Sequence, residues 1–454
     1  MKFKSINPYT GEVISTYQEH SEEEIKSILS KADSAFQNWS KVPIQQRGIF
    51  MKNAAAILRE NVSLYARTIT LEMGKPICES RAEIEKCAWV CDFYAQNAAQ
   101  FLADNTIITD ARESFVSFEP MGCVLAIMPW NFPFWQVFRF AAPTIMAGNV
   151  GLLKHASSVF GCAIQIKEVF EKAGFPADVL QNLFIDHSKV EMLIESDTVK
   201  AVTLTGSEKA GASVASIAGK NIKKSVLELG GSNAFIVLKD ADLEKTVKTA
   251  LIARMLNAGQ SCIAAKRFII EEKIHDDFVF KFIEGLKSYK YGNPLDESTK
   301  IGPLSREDLA VKLQEQIMKS VEMGAKIVYG GKQNGAYHEP TVLVNVSPGM
   351  PVFDEETFGP VAAIIKAKDE NQAFELSNKS RYGLGTSLFT SDIEKAKKHI
   401  HKVSDGSFFI NEMVKSDPRM PFGGTKNSGY GRELSKEGIL EFVNIKTVYI
   451  KILD

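Results

Sequence analysis

The sequence predicts an α/β protein built on parallel sheets, and three observations carry that prediction. From residue 123 onward, short apolar runs alternate with helical stretches, a pattern that buries a parallel sheet between two layers of helices. A second series of the same kind opens at Asn233 and continues beyond residue 400. Residues 115–118 and 445–452 instead alternate apolar and polar side chains with period two, which marks strands with one wet face.

The N-terminal part reads as helical. Ser21-Glu22-Glu23-Glu24 has the form of a capping box and starts a helix running to about Trp39. Longer helical regions are expected over residues 44–74 and 79–102. Strands follow over 123–128, 151–154, 180–185 and 201–205, and the second series begins with 233–238. Residues 121–138 carry no charge, a length that would suit a membrane helix. Pro129, Asn131, Pro133 and Gln136 interrupt this run and Arg139 follows it, so a buried strand, a polar loop and a buried helix are expected instead. The two period-two stretches are marginal as an isolated ribbon, and packing on another subunit would stabilise them.

Composition narrows the function classes. The 454 residues are 45% hydrophobic and 24% charged, with a net charge of −1, an ordinary globular balance of two or three domains. That charge gives no electrostatic case for nucleic acid or an anionic membrane. Residues 1–8 lack the apolar core of an export signal, and with no evident disulfide framework a reducing cytoplasm is expected.

The six cysteines are Cys78, Cys87, Cys91, Cys123, Cys162 and Cys262. They show no paired CxxC spacing and no His-rich partner, so no metal site is expected. Cys87 and Cys91, four apart in a helical stretch, suit one buried face. Cys262 differs in its company. It follows Gly259-Gln260-Ser261, a turn with little side-chain crowding, soon after Leu227-Glu228-Leu229-Gly230-Gly231. A thiol and a carboxylate so presented suggest covalent catalysis, in which the thiolate attacks and the carboxylate later activates water. Conversion of an aldehyde to an acid fits that chemistry. The nucleotide signal is less direct, because no GxGxxG follows a strand. Thr203-Leu204-Thr205-Gly206-Ser207 with Gly211 forms a strand-to-helix turn whose N–H groups favour phosphate, and Lys154 ends a neighbouring strand, where such folds bind ligands.

Six motifs now stand in order: Pro129-Trp130-Asn131-Phe132-Pro133, Leu204-Thr205-Gly206-Ser207, Leu227 to Gly231, Gly259 to Cys262, Glu355-Glu356-Thr357-Phe358-Gly359-Pro360 and Pro421-Phe422-Gly423-Gly424. Ser428-Gly429-Tyr430-Gly431-Arg432-Glu433 follows them. The series resembles that of the NAD(P)-dependent aldehyde dehydrogenases, from about Asn7 to the C-terminus. The resemblance implies a Rossmann-type cofactor domain (1–102 and 121–230), an α/β catalytic domain (231–437) and a small β oligomerisation element (103–120 and 438–454), in a homodimer or homotetramer. It implies Cys262 as nucleophile, Glu228 as general base for thioester hydrolysis, and Asn131 with the Cys262 N–H as oxyanion donors. Trp130, Lys154, Ser157, Gly206, Ser207, Glu356 and Phe358 match cofactor contacts. Glu228 argues against the CoA-acylating branch, which typically lacks this base.

One departure bears on the cofactor. Many members read Lys-Pro-Ser/Ala-Glu, the Glu gripping the adenosine ribose, whereas this chain reads Lys154-His155-Ala156-Ser157. A carboxylate there would repel a 2′-phosphate; a serine hydroxyl can donate to it. NAD or NADP is therefore expected. Substrate choice turns on Arg139, eight residues after Asn131, where the succinate-semialdehyde dehydrogenases of the family carry Arg and a guanidinium can clamp a carboxylate. The alternative for Arg139 is a surface side chain. Trp135, Arg419 and Phe422 are the further substrate-side candidates. A second arginine used by some of those enzymes is Leu256 here. The resemblance implies oxidation of succinate semialdehyde to succinate; a broader aldehyde dehydrogenase and a non-catalytic protein on the same fold are the alternatives, and intact Cys262, Glu228 and Asn131 speak against the last.

Overall fold

The computed structural model describes residues 2–452. Its first sheet has six strands, in the order Gly429–Tyr430, Lys224–Glu228, Val199–Thr205, Cys123–Met128, Val150–His155, Leu180–Asn182. Every pairing is parallel except that of Gly429–Tyr430, which returns antiparallel to Leu227 and Glu228. From Cys123–Met128 the next strands step to one side and the later ones to the other. Such a switch point opens a crevice beyond the carboxyl ends of the strands. Asn131, Lys154, Gly206 and Glu228 all stand at those ends.

The second sheet has seven strands, in the order Lys326–Tyr329, Thr341–Val344, Val361–Ala367, Ala265–Glu271, Asn233–Val237, Thr386–Phe389, Phe408–Ile410. Only its first pair is antiparallel. Cys262 and Glu356 lie on loops ahead of Ala265–Glu271 and Val361–Ala367, so the amino ends of this sheet meet the crevice of the first. Each sheet has its own apolar core. Within the expected catalytic span 231–437, Phe422, Leu434 and the strand Gly429–Tyr430 belong to the first sheet and its core, because that strand pairs with Lys224–Glu228.

Helix Glu22–Trp39 begins with the full capping box: the Ser21 Oγ accepts from the Glu24 N–H at 3.2 Å and the Glu24 carboxylate from the Ser21 N–H at 2.7 Å. The chain does not open with helices, however. A hairpin, Lys2–Ile6 with Val13–Gln18, precedes them, its turn closed by the Gly11 N–H on the Asn7 carbonyl at 2.8 Å. The helical region 44–74 is two helices, Ile44–Glu60 and Val62–Met73, parted where the Asn61 amide bonds back to the Ile57 carbonyl at 2.9 Å; this competition is the reason Asn breaks helices. Residues 79–102 lie in Ile77–Phe101, with Cys87 and Cys91 buried. The strand expected over 180–185 ends at Asn182, because the Phe184 carbonyl turns to the His20 N–H. Residues 121–138 form the strand, loop and helix start expected of them, and among the described residues no helix is long and apolar enough to cross a membrane.

The period-two stretches pair with each other. Val443–Ile450 runs antiparallel to Glu113–Pro120, and Asn105–Thr106 completes a three-stranded sheet. Ile445 and Tyr449 are exposed on it, and Ile108 beside it is 98% exposed. Met1, in the first expected domain, and Leu453 and Asp454, in the expected oligomerisation element, lie outside the described residues.

Candidate active site

The loop that carries Cys262 is held from beneath. After helix Leu243–Met255 the chain takes three left-handed residues in a row, Asn257 (φ 54°), Ala258 (φ 50°) and Gly259 (φ 75°), conformations that survive only where the surroundings impose them. Arg254, fully buried, imposes them: its guanidinium donates to the Gly259 and Gly359 carbonyls, both at 2.7 Å, and to the Ala265 carbonyl at 2.9 Å. A Cβ on Gly259 would stand 2.3 Å from the Gly359 oxygen. From above, the Lys266 ammonium donates to the Ser261 and Cys262 carbonyls at 2.9 and 2.8 Å and lies 3.2 Å from Glu356. A Cβ on Gly231 would come within 2.7 Å of the Cys262 carbonyl, so the glycines after Glu228 let that segment close on the cysteine backbone.

Burial pushes the Cys262 thiol up to about 11, Arg139 and Lys266 offsetting only part of that. The resting sulfur therefore carries its proton and needs a base before attack. Asn131 donates from Nδ2 to the Gln260 carbonyl at 3.0 Å and accepts on its backbone oxygen from the Asn257 amide at 2.8 Å. One of its two amide hydrogens is thus committed to the cysteine loop, which holds the group beside Cys262.

Glu228 is buried, and neither carboxylate oxygen has a hydrogen-bond partner. Burial first, and Glu433 second, push its carboxyl well above the usual range, against the pull of Arg139. Glu433 is also raised, mainly by burial. Arg139 is 2% exposed rather than a surface residue. It forms an ion pair with Glu433, donates to the Thr205 hydroxyl at 3.3 Å and lies 4.6 Å from the Phe422 ring centre. The two buried carboxyls thus share one guanidinium, and burial raises both. Glu433 is the missed member of this group: it stood in a quoted motif, but nothing local in sequence ties it to Arg139.

A cavity of about 300 Å³ opens onto Cys262, and Trp135, Arg139, Leu256 and Phe422 line it. Arg419 does not. It is exposed, held bidentate by Asp417 at 2.7 and 2.9 Å, and lies over Trp89. The cavity also contains Lys86 and Ser416, which motif reading passed over. The Lys86 ammonium donates to the Ser416 hydroxyl at 2.8 Å and sits 4.3 Å from the Trp135 ring centre; burial lowers it to about 8.

A second groove, of about 330 Å³, is lined by Ser207, Gly230, Glu356 and Phe358. Ser207 caps helix Glu208–Lys220 by accepting from the Ala210 N–H at 3.3 Å, and Gly206 precedes it. Glu356 accepts from the Gly231 N–H at 3.0 Å, and a Cβ on Gly230 would stand 2.6 Å from its carboxylate. Trp130 meets Phe358 edge-on at 5.8 Å. Lys154 and Ser157 stand at the end of the adjacent strand Val150–His155, Ser157 opening a short 3-10 turn. Burial lowers the Lys154 ammonium. His155 turns inward, its Nε2 donating to the Pro133 carbonyl at 2.9 Å and its Nδ1 accepting from the Ala156 N–H at 3.0 Å; burial lowers it to about 4, so it is neutral. A helix N-terminus and a carboxylate in this groove, with a lysine and a neutral serine at the carboxyl end of another strand of the same sheet, fit a dinucleotide with diol and phosphate groups. Among the described residues no cluster of His, Cys, Asp and Glu could hold a metal ion.

Comparison with known proteins agrees with this geometry. The model of the aldehyde dehydrogenase family matches residues 1–448. A protein of Synechocystis sp. named as a probable succinate-semialdehyde dehydrogenase with NADP+ is 48% identical over 99% of this chain and 100% of its own. A succinate semialdehyde dehydrogenase of Escherichia coli, named for NAD(P)+, is 45% identical over 98% of this chain and 97% of its own. The crystal structure of succinic semialdehyde dehydrogenase from Streptococcus pyogenes with NADP+ superposes with a TM-score of 0.97 at 38% identity, covering 99% of this chain and 100% of that one.

Proposed function

The chain belongs to the aldehyde dehydrogenase family, and from that premise we propose that it oxidises succinate semialdehyde to succinate with NADP+ or NAD+. The observation that carries this reading is the cavity on Cys262, whose largely apolar walls include three cationic side chains, Arg139, Lys86 and Lys415. An apolar slot with basic groups suits a short aldehyde that ends in a carboxylate. Similarity to enzymes named for this substrate supports it.

In this mechanism Cys262, once deprotonated, adds to the aldehyde carbon to give a thiohemiacetal. Asn131 Nδ2 and the Cys262 N–H hold the oxyanion as the carbonyl becomes tetrahedral. When bound, the cofactor would supply the hydride acceptor. Glu356, fixed by the Gly231 N–H and Lys266, would hold a ribose hydroxyl, and Ser207, Lys154 and Ser157 would hold the phosphate and adenosine ribose. The thioester left on Cys262 is then hydrolysed by water from which ionised Glu228 takes the proton. The absence of a carboxylate in the Lys154–Ser157 run supports NADP+ as a substrate beside NAD+. The division into 1–102 with 121–230, 231–437, and 103–120 with 438–454 is kept for these roles except that Gly429–Tyr430, Phe422 and Leu434 pack with the first unit, and the exposed apolar residues at the three-stranded sheet support a homodimer or homotetramer. Unpaired cysteines support a reducing cytoplasm.

The Arg139–Glu433 ion pair favours one alternative, a broader aldehyde dehydrogenase in which Arg139 does not select the substrate. The experiment is kcat/KM for succinate semialdehyde against pentanal and benzaldehyde with each cofactor. Preference for succinate semialdehyde by about a hundredfold or more, equal to roughly 2.7 kcal/mol, is the expected result; equal values would leave the broader reading.

A further inference from the structure

Helix Ile77–Phe101 sets one side chain against the loop that carries Cys262. Glu79 stands in its first turn, where the positive end of the helix dipole favours a carboxylate. From there it lines the cavity on Cys262 and accepts from the Asn257 N–H at 2.7 Å. Asn257 is buried and is the first of the three left-handed residues. Leu256 before it is extended (ψ 128°), so the Asn257 N–H has left the line of carbonyls of helix Leu243–Met255 and takes its acceptor from another element. The Asn257 side chain carries the connection onward. Its Nδ2 donates to the Asn131 carbonyl at 2.8 Å and the Gln260 carbonyl at 3.2 Å, and Asn131 Nδ2 meets the same Gln260 oxygen at 3.0 Å. The helix has other ties to the second unit: the Ile77 N–H donates to the Pro294 carbonyl at 2.8 Å, and Arg81 pairs with Glu297. Glu79 is therefore spared for the loop.

We propose that Glu79 is a positioning residue for aldehyde addition: through Asn257 it aims the Asn131 amide and holds the Cys262 loop, so that both oxyanion donors converge on one point. The inference rests on the reading of Asn131 as an oxyanion donor and names the group that aims it. Pre-set donors matter because the negative charge they receive develops only as the carbonyl becomes tetrahedral. Burial pushes the Glu79 carboxyl up to about 7, against the pull of Lys75 and Lys300. In either protonation state an oxygen remains to accept the Asn257 N–H. The working feature is thus an acceptor at that place, which a glutamine side chain also supplies.

The test is the single-turnover rate of NADPH formation, with enzyme in excess over succinate semialdehyde or pentanal. It is measured on wild type, Asn131→Ala, Glu79→Met, Glu79→Gln and the Asn131→Ala/Glu79→Met pair. Asn131→Ala should slow the turnover by about a hundredfold, the usual cost of one oxyanion donor; an unchanged rate would remove the oxyanion reading itself, independently of Glu79. Given that loss, Glu79→Met should slow both aldehydes by a common factor of about ten or more, a fraction of the cost of the donor it aims, with NADP+ affinity unchanged. Glu79→Gln should restore most of the rate. In the pair the Glu79 change should cost nothing further, because its route to the chemistry is gone. Alkylation of Cys262 by iodoacetamide needs no oxyanion donor, and the charges acting on the thiol are Arg139, Lys266, Glu356 and Glu228. It should therefore run at the wild-type rate in Glu79→Met. A Glu79→Met enzyme with wild-type turnover, losses that add in the pair, or alkylation that slows in step with turnover overturns the assignment.

Discussion

Cys262 rests protonated in this protein, because burial raises the thiol further than Arg139 and Lys266 lower it. Replacing it with Ala should leave less than about a hundredth of the activity while dinucleotide binding persists, the usual outcome when a nucleophile is removed; residual turnover above that level would move the nucleophile elsewhere. The base has its own signature. As the proposed base Glu228 acts in its ionised form, and burial and then the Glu433 carboxyl push its carboxyl well above the usual range. Thioester release should therefore rise with pH until Glu228 ionises. Glu433→Gln removes a charge that raises Glu228 and frees Arg139 to lower it, so the acid limb of the release rate should move to lower pH. An unmoved limb would uncouple the two carboxyls. Cys262, Glu228 and Asn131 could be singled out from sequence because each sits in a short run of glycine, proline and polar residues whose chemistry is local. Glu433, Arg254 and Lys266 could not, because what sets each in place is a partner brought by the fold.

At the scale of elements, the strand Cys123–Met128 matches its sequence reading residue for residue, since a continuous apolar run bounded by Gly122 and Pro129 admits no other ends. The N-terminal hairpin was hidden because only Phe3 and Ser5 of its first strand are buried, too short an alternation to stand out. The turn after Val150–His155 is the proposed determinant of cofactor choice. Ser157→Glu places a carboxylate where a 2′-phosphate would lie and should weaken NADP+ use relative to NAD+ by about 1–3 kcal/mol in kcat/KM. Equal losses would show that residue 157 does not face the ribose. The three-stranded sheet presents Ile445 and Tyr449 to solvent, with Ile108 exposed beside it. If these are buried between subunits, Ile445→Lys with Tyr449→Lys should shift the mass in light scattering toward the monomer, and an unchanged mass would remove the sheet from the interface.

Across the whole molecule, two α/β units meet so that the carboxyl ends of one sheet face the loops before the strands of the other. The alternation of apolar runs and helices foretold both units; the strand order and the return of Gly429–Tyr430 to the first sheet did not follow from it, because a two-residue strand has no period to read. Arg254 ties the cysteine loop to the loop of Glu356 through the Gly259 and Gly359 carbonyls. Arg254→Met should strand those buried acceptors, lowering stability by at least about 2 kcal/mol in urea unfolding and depressing catalysis with either cofactor; a fully stable variant would contradict that role. The proposed reaction depends on a covalent acyl intermediate of the substrate at Cys262. Its most direct test is intact-mass measurement of Glu228→Gln after one turnover with succinate semialdehyde and NADP+. The account predicts the added mass of one succinyl group, located to the peptide containing Cys262, absent without NADP+ and absent when Cys262 is also Ala. An unmodified protein that nevertheless turns over, or a succinyl group found on any other residue, would contradict it.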